Sequence, residues 1–178
     1  KFCNEKLPKD ISNFLKDRFK YYCKEKNLRH DIIEAATKSL DLNKISSTFE
    51  KVKSLNKIIN KSIGVDIVSS YKRAFNILNS ETKKLNESLS NTTDPGIFKN
   101  DFEKALFNKT NHIKQHFLGI TSKQNFDETL VFLATAKKEI FDFFDNVKVN
   151  DESEIVKKNR LELLNFFCKT FENFIDFQ

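Results

Sequence analysis

The stretch "FFDNVKVNDESEIVKKNRLELLNFF", Phe143 to Phe167, leaves an aromatic helix and passes Asp145, Asp151, Glu152 and Glu154 with only Lys148 between. It then restarts as a basic segment that turns apolar again. Its acids suit an acidic metal loop, a solvent-exposed joint or the rim of a binding surface. A calcium loop needs oxygen ligands at alternating positions, a glycine at its sharp turn and a closing glutamate. No glycine occurs here. Carboxylates at the first turn of a helix compensate unpaired N–H groups and the macrodipole. Asp151, Glu152 and Glu154 therefore read as capping residues of a last helix that starts near Asp151 and runs almost to Gln178. The stretch becomes a joint between two helices.

The same periodicity extends outward. With three glycines and two prolines in the chain, helix breakers are few. Pro8 can open a first helix whose apolar stripe is Ile11, Phe14, Leu15 and Tyr22, with Phe19 at one edge. A short second helix starts near Asp31 with Ile32, Ile33 and Ala36. A third starts near Asn43 with Ile45, Phe49, Val52, Leu55 and Ile59. Gly64 ends that segment, and Asp66 is the candidate N-cap of a fourth helix carrying Ile67, Val68, Tyr71, Ala74, Phe75 and Leu78. Residues 80–97, "SETKKLNESLSNTTDPGI", read as an internal polar loop. Asn100 with Glu103 and Asn125 with Glu128 resemble capping boxes opening the fifth and sixth helices. Only the short "NVKVN", Asn146 to Asn150, alternates like a strand. The fold predicted is all-α: one helical bundle of six to seven helices spanning 1–178.

A chain of 178 residues is long enough for a core, burying roughly 70% of its extended surface. Hydrophobic residues at 39% and charged residues at 31% set it apart from both membrane proteins and disordered tails. No run approaches the roughly 20 apolar residues of a membrane span, and "KFCNEKLPKD" lacks a signal-peptide core. The absence of methionine and the start at Lys1 suggest a piece of a longer chain. Cys3, Cys23 and Cys168 show no metal-binding spacing and read as thiols of a reducing, cytoplasmic compartment. The net charge of +6 suits a nucleic-acid surface without proving one.

Catalytic constellations are weak. His30 next to Asp31 has no earlier histidine to complete a metal phosphohydrolase site. His112 and His116 share a helix spacing but lack a third ligand, so a boundary position is expected. No phosphate loop, dinucleotide fingerprint or nucleophile elbow occurs. Neither metal nor cofactor is expected in this chain.

The cations fall into two kinds. Arg18 lies within the first helix's apolar stripe, and Arg160 lies on the line continued by Leu164, Phe167 and Phe171. Both are read as structural polar residues, paired or snorkelling, with Asp145 or Asp31 as candidate partners. Lys72, Arg73 and Asn76 fall opposite Tyr71, Ala74 and Leu78, on a face able to contact phosphate or a base edge. Lys16, Lys20 and Lys24 on the first helix, followed by Arg29 and His30, offer a second positive field. There His30 or an exposed tyrosine could stack on a base.

"FLKDRFKYYCKEKNLRHDIIEAA" (14–36), "SYKRAFNIL" (70–78) and "FFDNVKVNDESEIVKKNRLELL" (143–164) resemble, in wording and order, the C-terminal anticodon-binding (DALR-like) region of bacterial glycine-tRNA ligase beta subunits. That region is similar to the all-helical domain of arginine-tRNA ligases. The resemblance spans essentially the whole chain. It implies a noncatalytic tRNA-recognition domain within an ATP-dependent ligase whose class II chemistry, with ATP and Mg2+, sits in the alpha subunit. The implied partners are glycine tRNA, the rest of the beta subunit and the alpha subunit, with no membrane and no DNA. The matching polar positions are Arg18, Lys20, Arg29, His30, Lys72, Arg73, Asn76, Asp145, Asn146, Asn159 and Arg160. Where the family pattern runs "NVMVM", this chain has "NVKVN". That replaces an expected apolar contact by Lys148 and Asn150 and makes Lys148 a candidate RNA contact. A helical protein-interaction or subunit-assembly module is the alternative reading.

Overall fold

The computed structural model describes residues 7–37, 40–83, 89–90, 92–118 and 126–174. Among them are eight α-helices: α1 (Leu7–Glu25), α2 (His30–Thr37), α3 (Ile45–Ile58), α4 (Ser62–Thr82), α5 (Asp101–Leu118), α6 (Phe126–Ala134), α7 (Lys137–Asn146) and α8 (Glu154–Glu172). Two short 3-10 turns, Leu42–Lys44 and Pro95–Ile97, join them. The all-α bundle is as the periodicity predicts. The segment read as one sixth helix is two, because the Thr135 and Ala136 N–H groups donate to the carbonyls three residues back and the Thr135 hydroxyl donates to the Phe132 carbonyl at 2.6 Å. Thr competes for backbone groups in this way without the warning a proline or glycine would give.

α8 is the axis. It packs against α4 on one side and α5 on the other, with α7 against α4 and α5, and α6 against α3 and α4. Leu161, Leu163, Leu164, Phe167 and Phe171 are buried around most of its circumference. A helix buried on nearly all sides must place its polar residues against partners. Asn159 exchanges two bonds with the backbone of Asp94 (2.8 and 2.9 Å), and Glu162 accepts from the Ser90 hydroxyl at 2.7 Å. The described part of the predicted 80–97 loop is thus laid down on α8, after α4 has run on to Thr82.

Arg160 is the third such residue. Only 4% exposed, it donates from Nε to Glu103 Oε1 at 2.6 Å, and from one terminal nitrogen to the Lys148 carbonyl (2.9 Å) and Asp151 Oδ2 (2.8 Å). Its partners are therefore Glu103 and Asp151; Asp145 and Asp31 pair elsewhere. Glu103 is also the capping-box residue of α5. Its other oxygen accepts the Lys99 and Asn100 N–H groups (2.7 and 3.0 Å), while Asn100 Oδ1 accepts the Glu103 N–H at 3.0 Å. Asp151 does not cap α8, which starts at Glu154 after Ser153. It accepts from Ser153 N (3.0 Å) and Lys99 Nζ (2.9 Å) as well as Arg160. In the adjoining "NVKVN", Val147 and Val149 are buried, and Lys148 and Asn150 face outward. The departure from the family pattern thus falls on the two exposed positions.

Three further expectations change. Gly64 does not end α3. It lies within α4, where an added Cβ would meet the Ile58 carbonyl oxygen at 2.3 Å and the Ile59 Cα at 2.5 Å. Its small size lets α4 cross the end of α3. Asp66 is likewise interior to α4 and accepts from Lys137 Nζ at 2.7 Å, joining α4 to α7. The predicted stripe of α1 is inverted: Phe19 and Cys23 are buried, while Ile11 (51%), Phe14 (57%), Leu15 and Tyr22 (46%) are exposed. α1 packs mainly on α2 and the 42–44 turn, so only a narrow strip is covered. Arg18 is consequently exposed, its guanidinium 5.3 Å from the Phe14 ring centroid, and is not a buried structural cation. Asn125 and Cys3 lie outside the described residues. Burial pushes the Cys23 thiol up to about 11 and raises Cys168 further.

Arg160→Ala leaves the Glu103 carboxylate buried without its ion-pair partner, and a loss of about 3–5 kcal/mol is expected in urea unfolding. An unchanged midpoint would refute the role assigned to this arginine. Asp151 is held down to about 2, first by the Lys99 hydrogen bond, then by the Ser153 N–H and Arg160. A depressed carboxylate stabilises fully above its unfolded value of roughly 3.9, and that contribution is lost as pH falls through about 2. Stability should therefore drop over that acid window, and Asp151→Asn should flatten the drop in melts recorded from about pH 5 to pH 2.

Candidate nucleic-acid interface

α1 ends in a left-handed residue, Asn27, with φ of 58°. The Leu28 N–H reaches back to the Cys23 carbonyl (3.2 Å) and the Asn27 N–H to the Lys24 carbonyl (2.9 Å). This helix stop tolerates Asn where most side chains are strained. The reversal delivers Arg29 to the start of α2, where its carbonyl accepts the Ile33 N–H at 3.1 Å.

Arg29 is a clamp. Its guanidinium grips Asp31 through two bonds (3.1 and 2.7 Å) and donates to Asn60 Oδ1 at 2.5 Å, while its own N–H donates to Asn56 Oδ1 at 3.1 Å. The hydrogen bonds and charge of Asp31 raise the Arg29 pKa, and the same bonds hold the Asp31 carboxyl below its ordinary range. α2 is thereby fixed to the end of α3 and the turn that follows it.

Two concavities flank this clamp. One is an open cleft of about 630 Å³ with Ile32, Leu55, Ile59, Val65 and Val68 along its floor and Arg29, Asn60 and Lys72 among its polar lining. The other is a hollow of about 420 Å³ lined by Tyr22, Phe49, Lys26, Lys53, Asn56 and Lys57, with Leu28 beneath. Lys53, Asn56, Lys57 and Asn60 recur at the spacing of one helical face, so the outer side of α3 leads from the hollow to the cleft.

The two predicted basic fields therefore meet, since Arg29 and Lys72 line the same cleft. Lys72 and Asn76, four apart on α4, are exposed, and neither has a side-chain hydrogen bond or ion pair among the described residues. Arg73 turns the other way. It pairs with Asp145 at 3.0 Å and lies 4.8 and 4.9 Å from the Phe141 and Phe144 ring centroids, so it pins α4 to α7. Asp145 is an exposed partner of Arg73, outside the Arg160 cluster. Lys20 pairs with Glu34 at 2.6 Å, joining α1 to α2, and lowers the Glu34 carboxyl pKa. His30 is exposed, with Nδ1 3.9 Å from Glu34. The Lys148 side chain is exposed, but its backbone belongs to the Arg160 corner. His112 and His116 flank Phe132 at 5.2 and 4.5 Å, and no group of three metal-ligating side chains occurs among the described residues.

Sequence reasoning missed the hollow. Tyr22 and Phe49 fall on stripes that the periodicity places in the core, and no motif marks Lys26, Lys53 and Lys57. The polar recurrence along α3 was the available signal. It could not show that Tyr22 of α1 would meet Phe49 of α3.

Residues 67–177, from α4 to beyond the described end of α8, match the family model of the DALR anticodon binding domain. The chain belongs to this family. Over 94% of its length, the chain aligns with proteins called glycine--tRNA ligase beta subunit: 31% identity over 169 residues in Rickettsia typhi, 30% over 167 in Rickettsia prowazekii and 34% over 167 in Rickettsia bellii. It spans about a quarter of the length of these curated relatives (23–24%). Lys72, Asn76 and Lys148 lie within the family-matched segment of the domain, while Arg29 and the whole hollow precede it.

The two neighbours on α4 should separate experimentally. Arg73→Ala removes a half-exposed ion pair and its aromatic contacts and should lower stability by about 1 kcal/mol. Lys72→Ala should leave the melting curve unchanged. Equal effects on thermal unfolding would contradict this division.

Proposed function

We propose that this chain recognises and positions tRNA within a glycine-tRNA ligase, contributing binding and orientation while bond making takes place elsewhere in the assembly. The observation that carries the reading is the anticodon-binding family match, reinforced by the cleft where Lys72 and the Arg29 clamp converge. Cations at such a surface draw the phosphate backbone in, and base contacts in an exposed loop supply discrimination. Seating the anticodon end orders the distant acceptor end toward the catalytic centre and lowers the entropic cost of the reaction step.

The full reading places glycylation, with ATP and Mg2+, in a class II alpha subunit, and the assembly in the cytoplasm. No helix among the described residues is long and apolar enough to cross a membrane. DNA is not an expected ligand.

A second contact is favoured by the outward stripe of α1, where Ile11, Phe14 and Leu15 stand exposed side by side. A neighbouring apolar face of three side chains suits protein better than phosphate. The relatives are about four times as long as this chain, and we assign the stripe to the remaining beta-subunit polypeptide. This keeps the assembly role beside RNA recognition, on a different surface.

The test is binding of the full-length protein in its ligase assembly to glycine tRNA, an anticodon-altered version and an unrelated tRNA across salt concentrations. Preference for glycine tRNA is expected, with affinity falling as salt rises. Lys72→Ala should weaken binding and reduce the salt slope by about 1. Equal affinity for all three tRNAs would sink the reading.

A further inference from the structure

We infer that the hollow between α1 and α3 is a binding site for a single unstacked nucleobase, with Tyr22 as its stacking surface and Lys26, Lys53 and Lys57 around its phosphates. This rests on the tRNA reading above and goes beyond it, because every lining residue precedes the family-matched segment 67–177.

The chemistry of the lining is specific. Tyr22 and Phe49 meet with centroids 5.2 Å apart and planes tilted by 48°, forming an aromatic corner instead of a flat stack. Tyr22 remains 46% exposed, so its ring has surface to offer. A flexible cation currently lies over that ring, with Lys26 Nζ 5.5 Å from the Tyr22 centroid and Lys53 Nζ 5.4 Å from the Phe49 centroid. Lys26 has no carboxylate partner among the described residues. Lys53 pairs with Glu50 and Lys57 with Asp127, both at 3.1 Å, and such exposed pairs give way readily to a phosphate. Asn56 adds a directional group. Its Oδ1 is held by the Arg29 N–H, which leaves its NH2 as a donor to an acceptor on the base edge.

A purely apolar ligand would leave three ammonium groups without use, and an acidic peptide would not need two aromatic rings. A base with its phosphates uses both, as in single-strand sites that combine aromatic platforms with basic grooves. The volume of about 420 Å³ lies within the range of small-ligand sites. The α3 face then leads the neighbouring phosphates past the Arg29 clamp toward Lys72.

The test uses the full-length protein in its ligase assembly and a glycine tRNA transcript, with affinity measured at several salt concentrations. Tyr22→Ala should lower affinity about tenfold with an unchanged salt slope, and Tyr22→Phe should retain it. Lys26→Ala should reduce the slope by about 1. The Tyr22→Ala loss should vanish against a transcript made abasic at one anticodon-loop position, a result that general destabilisation would not produce. Wild-type affinity in Tyr22→Ala, with Lys72→Ala still weakening binding, overturns the base site and leaves the tRNA reading standing. Dissociation of the subunits in Tyr22→Ala with tRNA affinity intact overturns it in favour of a protein contact. Failure of the wild-type protein to prefer glycine tRNA removes the reading on which the site rests.

Discussion

The buried Arg160–Glu103 contact is the constraint to which the rest of the bundle conforms. A guanidinium as buried as the neighbouring Leu161 and Leu164 of its helix is tolerated only where its donors are met. Glu103 meets one, the Lys148 carbonyl and Asp151 meet others, and these acceptors come from two separate pieces of chain, α5 and the 147–151 joint. The start of α5, the 147–151 joint and the axis helix α8 are therefore held at one point. Glu103 serves the pair and its own helix cap at once, so local and tertiary bonding share the same carboxylate. Folding the α5 terminus and docking α8 become linked events.

A second arginine performs a different task at an exposed position of the bundle. Arg29 joins the start of α2 to Asn56 and Asn60 with bonds that remain solvent-accessible. Such bonds contribute less to stability than buried ones but fix geometry. Around this clamp the cleft and the hollow acquire their shapes, while Lys72 and Lys26 remain without carboxylate partners among the described residues. The tRNA reading proposed above would divide stability and recognition largely between different cations. Arg160 and Arg73 are engaged in holding helices together, and the less engaged lysines lie where an anionic ligand can reach them.

That division explains how the charge of this domain relates to its family. A net charge of +6 is unremarkable when averaged over the surface. It becomes informative once Lys20, Arg29, Arg73, Lys99 and Lys137 are seen to be paired within the fold. Lys26 and Lys72, beside the hollow and the cleft, have no carboxylate partner among the described residues. The family match identifies the kind of domain, and the pairing pattern separates cations engaged within the fold from those that are not.

Much was legible in the linear order of residues. The periodicity near 3.6 determined an all-α bundle, Asn100 and Glu103 announced the start of α5, and the line from Arg160 to Phe171 marked a helix with a cation in its core. These signals are local, and a helix displays them whatever it packs against. The tertiary structure alone decided that α1 turns Phe19 and Cys23 inward and leaves Phe14 and Tyr22 outside, because burial depends on which neighbour covers a face. It alone chose Glu103 and Asp151 as the partners of Arg160, placed Gly64 at a helix crossing, and brought Arg29 to Lys72 and Tyr22 to Phe49. Those pairings join residues on different elements, and their energies exist only after the helices have met.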